Sequence, residues 1–81
     1  LVLNCESYNN NDPSKNNADG FACKLTAGYN NVFSGCSSHH NLDDGWDCYT
    51  KLATGAIGPV QVENCVAYRN GYQLNDDASV N

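Results

Sequence analysis

Cys5-Glu6-Ser7-Tyr8-Asn9-Asn10 returns as Cys36-Ser37-Ser38-His39-His40-Asn41 and again as Cys65-Val66-Ala67-Tyr68-Arg69-Asn70, and this recurrence decides the fold. The three stretches share a cysteine, a small residue two positions on, an aromatic ring and a closing asparagine, at spacings of 31 and 29 residues. A second register matches Asp19-Gly20-Phe21-Ala22-Cys23 to Asp44-Gly45-Trp46-Asp47-Cys48 at a spacing of 25. Periods of this size are those of one coil of a solenoid.

The matched pieces are short, rich in Val, Phe, Tyr and Cys, and bounded by Asn, Gly, Asp and Ser, which reads as strands and turns. No window shows a helical period. Asn4, Gly35 and Asn64 stand just before the repeated cysteines and are the residue types that most readily take positive φ, so each coil is expected to bend there. Val2, Phe33 and Val62 then point inward before the bend. Cys5, Cys36 and Cys65 stack inward after it, followed on the same face by Ser7, Ser38 and Ala67. Asn10, Asn41 and Asn70 form an amide ladder along the axis. The expected fold is all-β, a parallel β-helix of about three coils.

Asparagine occurs 13 times in 81 residues, in keeping with a chain that turns often and closes its turns with side-chain amides. Nine acids against four bases give a net charge of −5, and no basic patch interrupts it, which argues against a nucleic-acid partner. No apolar run of about 18 residues is present to span a membrane as a helix. The chain opens inside a strand pattern at Leu1 and shows no capping element. Residues 1–81 are therefore expected to be an internal fragment of a single larger β-helix domain, monomeric, with both terminal caps missing.

Five cysteines is an odd number, and each occupies a repeat-equivalent slot, Cys23 and Cys48 forming the second stack. Stacked Cβ vectors are parallel, which is the wrong torsion for a disulfide, so buried free thiols are expected. Zinc is disfavoured because there is no Cys-x-x-Cys pair, and because His39 and His40, read as neighbours in a strand, face opposite ways. His39 is placed instead in an aromatic stack with Tyr8 and Tyr68.

The acidic residues gather at one point of the repeat. By the second register Asp44 lies over Asp19, with Asp43 beside it and Asp47 facing outward like Ala22. Two carboxylates about 4.8 Å apart repel by about 3 kcal/mol at an effective dielectric of 20, so a cation is needed to offset them. Four hard oxygen donors, Asp19, Asp43, Asp44 and Asp47, suit calcium better than zinc. An EF-hand is ruled out by spacing, since the glycine falls one position early and no Glu closes the loop.

These motifs, Ala18-Asp19-Gly20-Phe21, Asp43-Asp44-Gly45-Trp46-Asp47 and the later Glu63-Asn64-Cys65-x-Ala67-Tyr68-x-Asn70-Gly71, resemble the pectate lyases of polysaccharide lyase family nine from about Asn4 to Tyr72. The resemblance implies a right-handed parallel β-helix, a secreted enzyme and a substrate of polygalacturonate, the de-esterified backbone of pectin. It also implies catalytic calcium held by Asp19, Asp43, Asp44 and Asp47. The family's base is a lysine, which projects one coil beyond Asp47 to positions 76 through 82. None of Asp76 to Asn81 is a lysine, so the catalytic residue is not identified in this chain and the 81 residues alone are expected to be inactive. Lys15, Lys24, Lys51 and Arg69 are read as solubilising surface residues; Arg69 is the best of them for pairing with a substrate carboxylate, but it lies on a face away from the aspartates. Two other readings remain open: a polygalacturonase-like glycoside hydrolase built on Asp43 and Asp44, and a non-catalytic calcium-stiffened β-helix of a surface protein or adhesin.

Overall fold

The computed structural model describes residues 1–13 and 17–72. Its strands run in the order β1 (Val2–Leu3), β2 (Glu6–Tyr8), β3 (Phe21–Ala22), β4 (Asn31–Ser34), β5 (Ser37–His39), β6 (Trp46–Asp47), β7 (Val60–Glu63) and β8 (Val66–Tyr68). They form three sheets, ordered β1-β4-β7, β2-β5-β8 and β3-β6, and every pairing is parallel. The fold is therefore a parallel β-helix in which each of the first two coils adds one strand to each sheet and the third, among the described residues, adds strands to two of them. Among the described residues no helix is long and apolar enough to cross a membrane.

Both registers read from the repeat are the registers of the sheets. Val2 pairs with Phe33 and Phe33 with Val62; Ser7, Ser38 and Ala67 align, as do Tyr8, His39 and Tyr68. The bends before the cysteines lie at Asn4, Gly35 and Asn64, with φ of 52, 67 and 51°. A second set of bends, not foreseen, lies at Asn9, His40 and Arg69, with φ of 58, 55 and 55°. Of these residue types only Asn and His are enriched in the left-handed region, so the position does not announce itself by composition.

This second bend corrects the reading of the histidine pair. His40 is not a strand residue facing away from His39; the bend turns it back, so that the two Nδ1 atoms lie 2.6 Å apart and the rings meet edge to face. His39 also stacks on Tyr8 and Tyr68, with centroids 5.1 and 4.7 Å away and planes within 4 and 2°, and its Nε2 lies 2.7 Å from Glu6.

Inside the coil, Phe21, Phe33 and Trp46 pack ring against ring at 5.0 to 5.9 Å, and Cys36 and Leu42 are buried with them in the core. All five cysteines are free thiols as expected, but only Cys36 is buried; Cys23 and Cys65 are half-buried, and Cys5 and Cys48 are exposed, against the expectation of buried stacks. Above this apolar floor runs a polar spine. Asn10 Nδ2 donates to Asn41 Oδ1 at 2.7 Å and Asn41 Nδ2 donates to Asn70 Oδ1 at 2.9 Å. The Ser7 and Ser38 hydroxyls donate to the carbonyls of Gly20 and Gly45. Ser38 and Asn41 are wholly buried, so these bonds satisfy groups that water cannot reach.

Candidate metal centre

The polar spine fixes the approach to the acidic motifs. A Cβ at Gly20 would collide with the Ser38 hydroxyl and lie 2.7 Å from Asn41 Nδ2, and one at Gly45 would lie 2.8 Å from Asn70 Nδ2. The glycine of each Asp-Gly pair is thus required by close packing against the ladder, not by positive φ. Each glycine brings the aspartate before it to the edge of the third sheet. There the backbone is tied coil to coil: Gly20 N donates to Asp44 O, Phe21 N to Gly45 O and Cys23 N to Asp47 O, all at 2.9 Å, and Asp43 N donates to Ala18 O at 3.2 Å.

Asp19, Asp44 and Asp47 meet at this edge, each offering a carboxylate oxygen within 4.8 Å of the other two. Asp19 Oδ1 accepts a 3.0 Å hydrogen bond from the Asp44 amide, and Asp47 Oδ1 accepts one of 2.9 Å from the Tyr49 amide. Asp44 is exposed, whereas the Asp19 and Asp47 side chains are only 7 and 15 % exposed. Asp43, the fourth aspartate of the motif, is not one of the three that converge. It stands near enough to share their field.

Electrostatics follow from that crowding. Burial raises the Asp43 carboxyl above the ordinary value, and the charges of Asp44, Asp19 and Asp47 add to the effect. Burial likewise raises Asp19; the bond from the Asp44 amide opposes it, and Asp47 and Asp44 reinforce it. Burial pushes Asp47 the same way, but the Lys24 ammonium and the Tyr49 amide outweigh it and leave this carboxyl below its ordinary value.

Lys24 is the residue that the sequence reading misplaced. It is not a free surface lysine: its Nζ lies 2.7 Å from Asp47 Oδ2 and 3.9 Å from Asp19 Oδ2. Two residues along a strand is about 6.7 Å, but a four-carbon stem spans that distance and carries the charge back over Asp47. The bond to Asp47 raises the lysine's affinity for its proton. Beside the carboxylates opens a depression of about 430 Å³ lined by Asn17, Lys24, Leu25, Asp44, Asp47, Tyr49 and Lys51. Arg69 lies elsewhere, with its guanidinium 5.0 Å over the Tyr72 ring. Lys15 and positions 76 to 81 lie outside the described residues.

The whole chain, residues 1–81, matches the family model described as the Pel9A-like right-handed β-helix region. Among named proteins, it is 67 % identical over 70 residues to a pectate lyase L of Thermoclostridium stercorarium, covering 86 % of this chain and 6 % of that protein. It is 51 % identical over 80 residues to a pectate lyase L of Paenibacillus polymyxa, covering 98 and 18 %. To a pectate disaccharide-lyase of Dickeya chrysanthemi it is 44 % identical over 80 residues, covering 95 and 11 %. The chain thus spans less than a fifth of the length of each of these relatives. No solved structure matches it. With three parallel sheets, two coil registers and a family model that covers every residue, the chain belongs to the Pel9A-like right-handed β-helix family.

Proposed function

We propose that this chain carries the calcium-holding part of a pectate lyase active site, in which polygalacturonate is cleaved by β-elimination. The observation that carries this reading is the convergence of carboxylate oxygens from Asp19 on one coil and Asp44 and Asp47 on the next, within 4.8 Å of one another. The donors are all hard oxygens, which suits calcium, and the cluster already attracts a cation, the Lys24 ammonium. Relatives named pectate lyase support the same reading.

Asp19, Asp44 and Asp47 would hold the ion, with Asp43 beside them. When bound, it would supply Lewis-acid withdrawal of charge from a uronate carboxylate, making the neighbouring C5 hydrogen more acidic. The chain's own contribution is preorganisation. The Asp44 amide fixes Asp19 and the Tyr49 amide fixes Asp47, so two of the three carboxylates are oriented before anything binds. While paired with Asp47, Lys24 holds its proton and does not serve as the base. The family's base lysine projects to positions 76 through 82, and since none of Asp76 to Asn81 is a lysine, the 81 residues by themselves lack the base in this reading and are inactive. An extracellular location accompanies a substrate of pectin.

Incubating the whole protein with polygalacturonate, with and without EDTA, tests the proposal. Unsaturated uronides that form only with calcium support it. Reducing ends without unsaturation would indicate a hydrolase instead, and calcium binding without any cleavage a structural role.

A further inference from the structure

Lys24 and the depression beside the carboxylates are not explained by the elimination chemistry. The Lys24 ammonium lies 2.7 Å from Asp47 Oδ2 and 3.9 Å from Asp19 Oδ2, so a divalent ion held by these carboxylates, at about 2.3–2.6 Å, would be repelled by a like charge a few ångströms away. Asp47 Oδ1 already accepts the Tyr49 amide, so the lone pairs left on this carboxylate are few and an incoming cation meets the ammonium at close range. Ammonium and metal therefore compete for the same carboxylates.

The lysine has somewhere to go. Its backbone is pinned on both sides, Cys23 N bonding Asp47 O at 2.9 Å and Leu25 N bonding Tyr49 O at 2.8 Å, so only the side chain moves. That side chain is 33 % exposed and borders the 430 Å³ depression, whose lining also includes Lys51 and the exposed Tyr49. A released Lys24 would give this depression two ammonium groups and an aromatic surface next to the ion, a setting for a sugar bearing a carboxylate.

We propose that Lys24 is an exchangeable counter-ion. It neutralises Asp47 and Asp19 until a divalent cation replaces it, and then turns into the adjoining depression, where with Lys51 and Tyr49 it binds a uronate carboxylate. This rests on the calcium reading above. It makes ion binding and acidic-sugar binding depend on one side chain with opposite signs.

The test uses the whole protein and its variants Lys24→Gln, Lys24→Arg and Lys51→Gln. Calorimetry gives calcium affinity and then, at saturating calcium, affinity for galacturonate, which has no glycosidic bond to break. Lys24→Gln is expected to bind calcium about threefold to fivefold more tightly, the scale of losing one partly exposed competing ion pair, and galacturonate more weakly by a similar factor. Lys51→Gln weakens galacturonate alone, and Lys24→Arg stays near wild type for both, which separates charge from folding. Calcium affinity that is unchanged or weaker in Lys24→Gln overturns the proposal, as does tighter calcium binding with galacturonate binding unaltered. Absence of calcium binding by the wild type overturns the calcium reading itself, and this proposal with it.

Discussion

Asp19 Oδ1 accepts a 3.0 Å hydrogen bond from the backbone amide of Asp44, the residue one coil further on in the same register. A side chain of one motif thus caps the backbone of its repeat, and the acidic centre is also a structural joint between coils. Asp19→Ala is expected to destabilise the protein by about 1–2 kcal/mol by leaving that amide without its partner. Asp19→Asn keeps an acceptor and should lose calcium affinity with less effect on folding. Urea denaturation alongside calcium titration of the two variants separates these effects.

Asn41 is the midpoint of the amide ladder, with its side chain bonded to Asn10, Asn70, Ser38 and the Ser7 carbonyl and none of it exposed. Asn41→Ala should lower stability by about 3 kcal/mol or more, since several buried groups lose their partners together. Asn10, at one end of the described ladder and half-buried, should be less sensitive. The shift in denaturation midpoint for each variant checks the order.

Gly20→Ala places a methyl group against the Ser38 hydroxyl, 2.7 Å from Asn41 Nδ2 and 2.8 Å from the Gly45 carbonyl. Overpacking against a buried polar spine is expected to destabilise by about 1–3 kcal/mol. Gly28→Ala, where an added Cβ meets nothing within 4 Å, is the matched control. Thermal melts of the two variants should differ clearly.

Protonation acts on the aspartates in opposite directions. Asp19 and Asp43 have folded-state values above the ordinary 3.8, so their charged forms disfavour the fold, and without a divalent ion stability falls as pH rises from 3.8 through their raised values. Asp47 is lowered, so its contribution is present above 3.8 and is lost only as pH falls through its lower folded value. Calcium should therefore raise the melting temperature most near neutral pH and lose effect in acid. At a concentration of one hundred times Kd the gain is about 2.7 kcal/mol, and EDTA should abolish it. Melts across pH with calcium or EDTA provide the measurement.

Much of this architecture was legible because a solenoid repeats its instructions. Asn4, Gly35 and Asn64 marked one bend, Asn10, Asn41 and Asn70 the ladder, and the offset of 25 residues placed Asp44 over Asp19, each signal appearing at least twice. What stayed hidden was written once or in changing letters. The bend at Asn9, His40 and Arg69 uses three different residue types, so no single preference identified it, and His40 was assigned to a strand. Lys24 escaped because strand periodicity gives the direction of a Cβ, whereas a long flexible stem decides where the charge ends up. Asp43 and Asp44 are adjacent, and sequence alone did not show that, among the described residues, it is Asp44 whose carboxylate comes within 4.8 Å of both Asp19 and Asp47.

Successive coils keep their alignment although their lengths differ by two residues, because the parallel backbone ladders and the inner amide column, and not the length of the outer connection, hold the coils in register. The stretch from Leu52 to Ile57, with Leu52 fully exposed, is therefore a place where foreign sequence can be grafted while the aspartates keep their spacing.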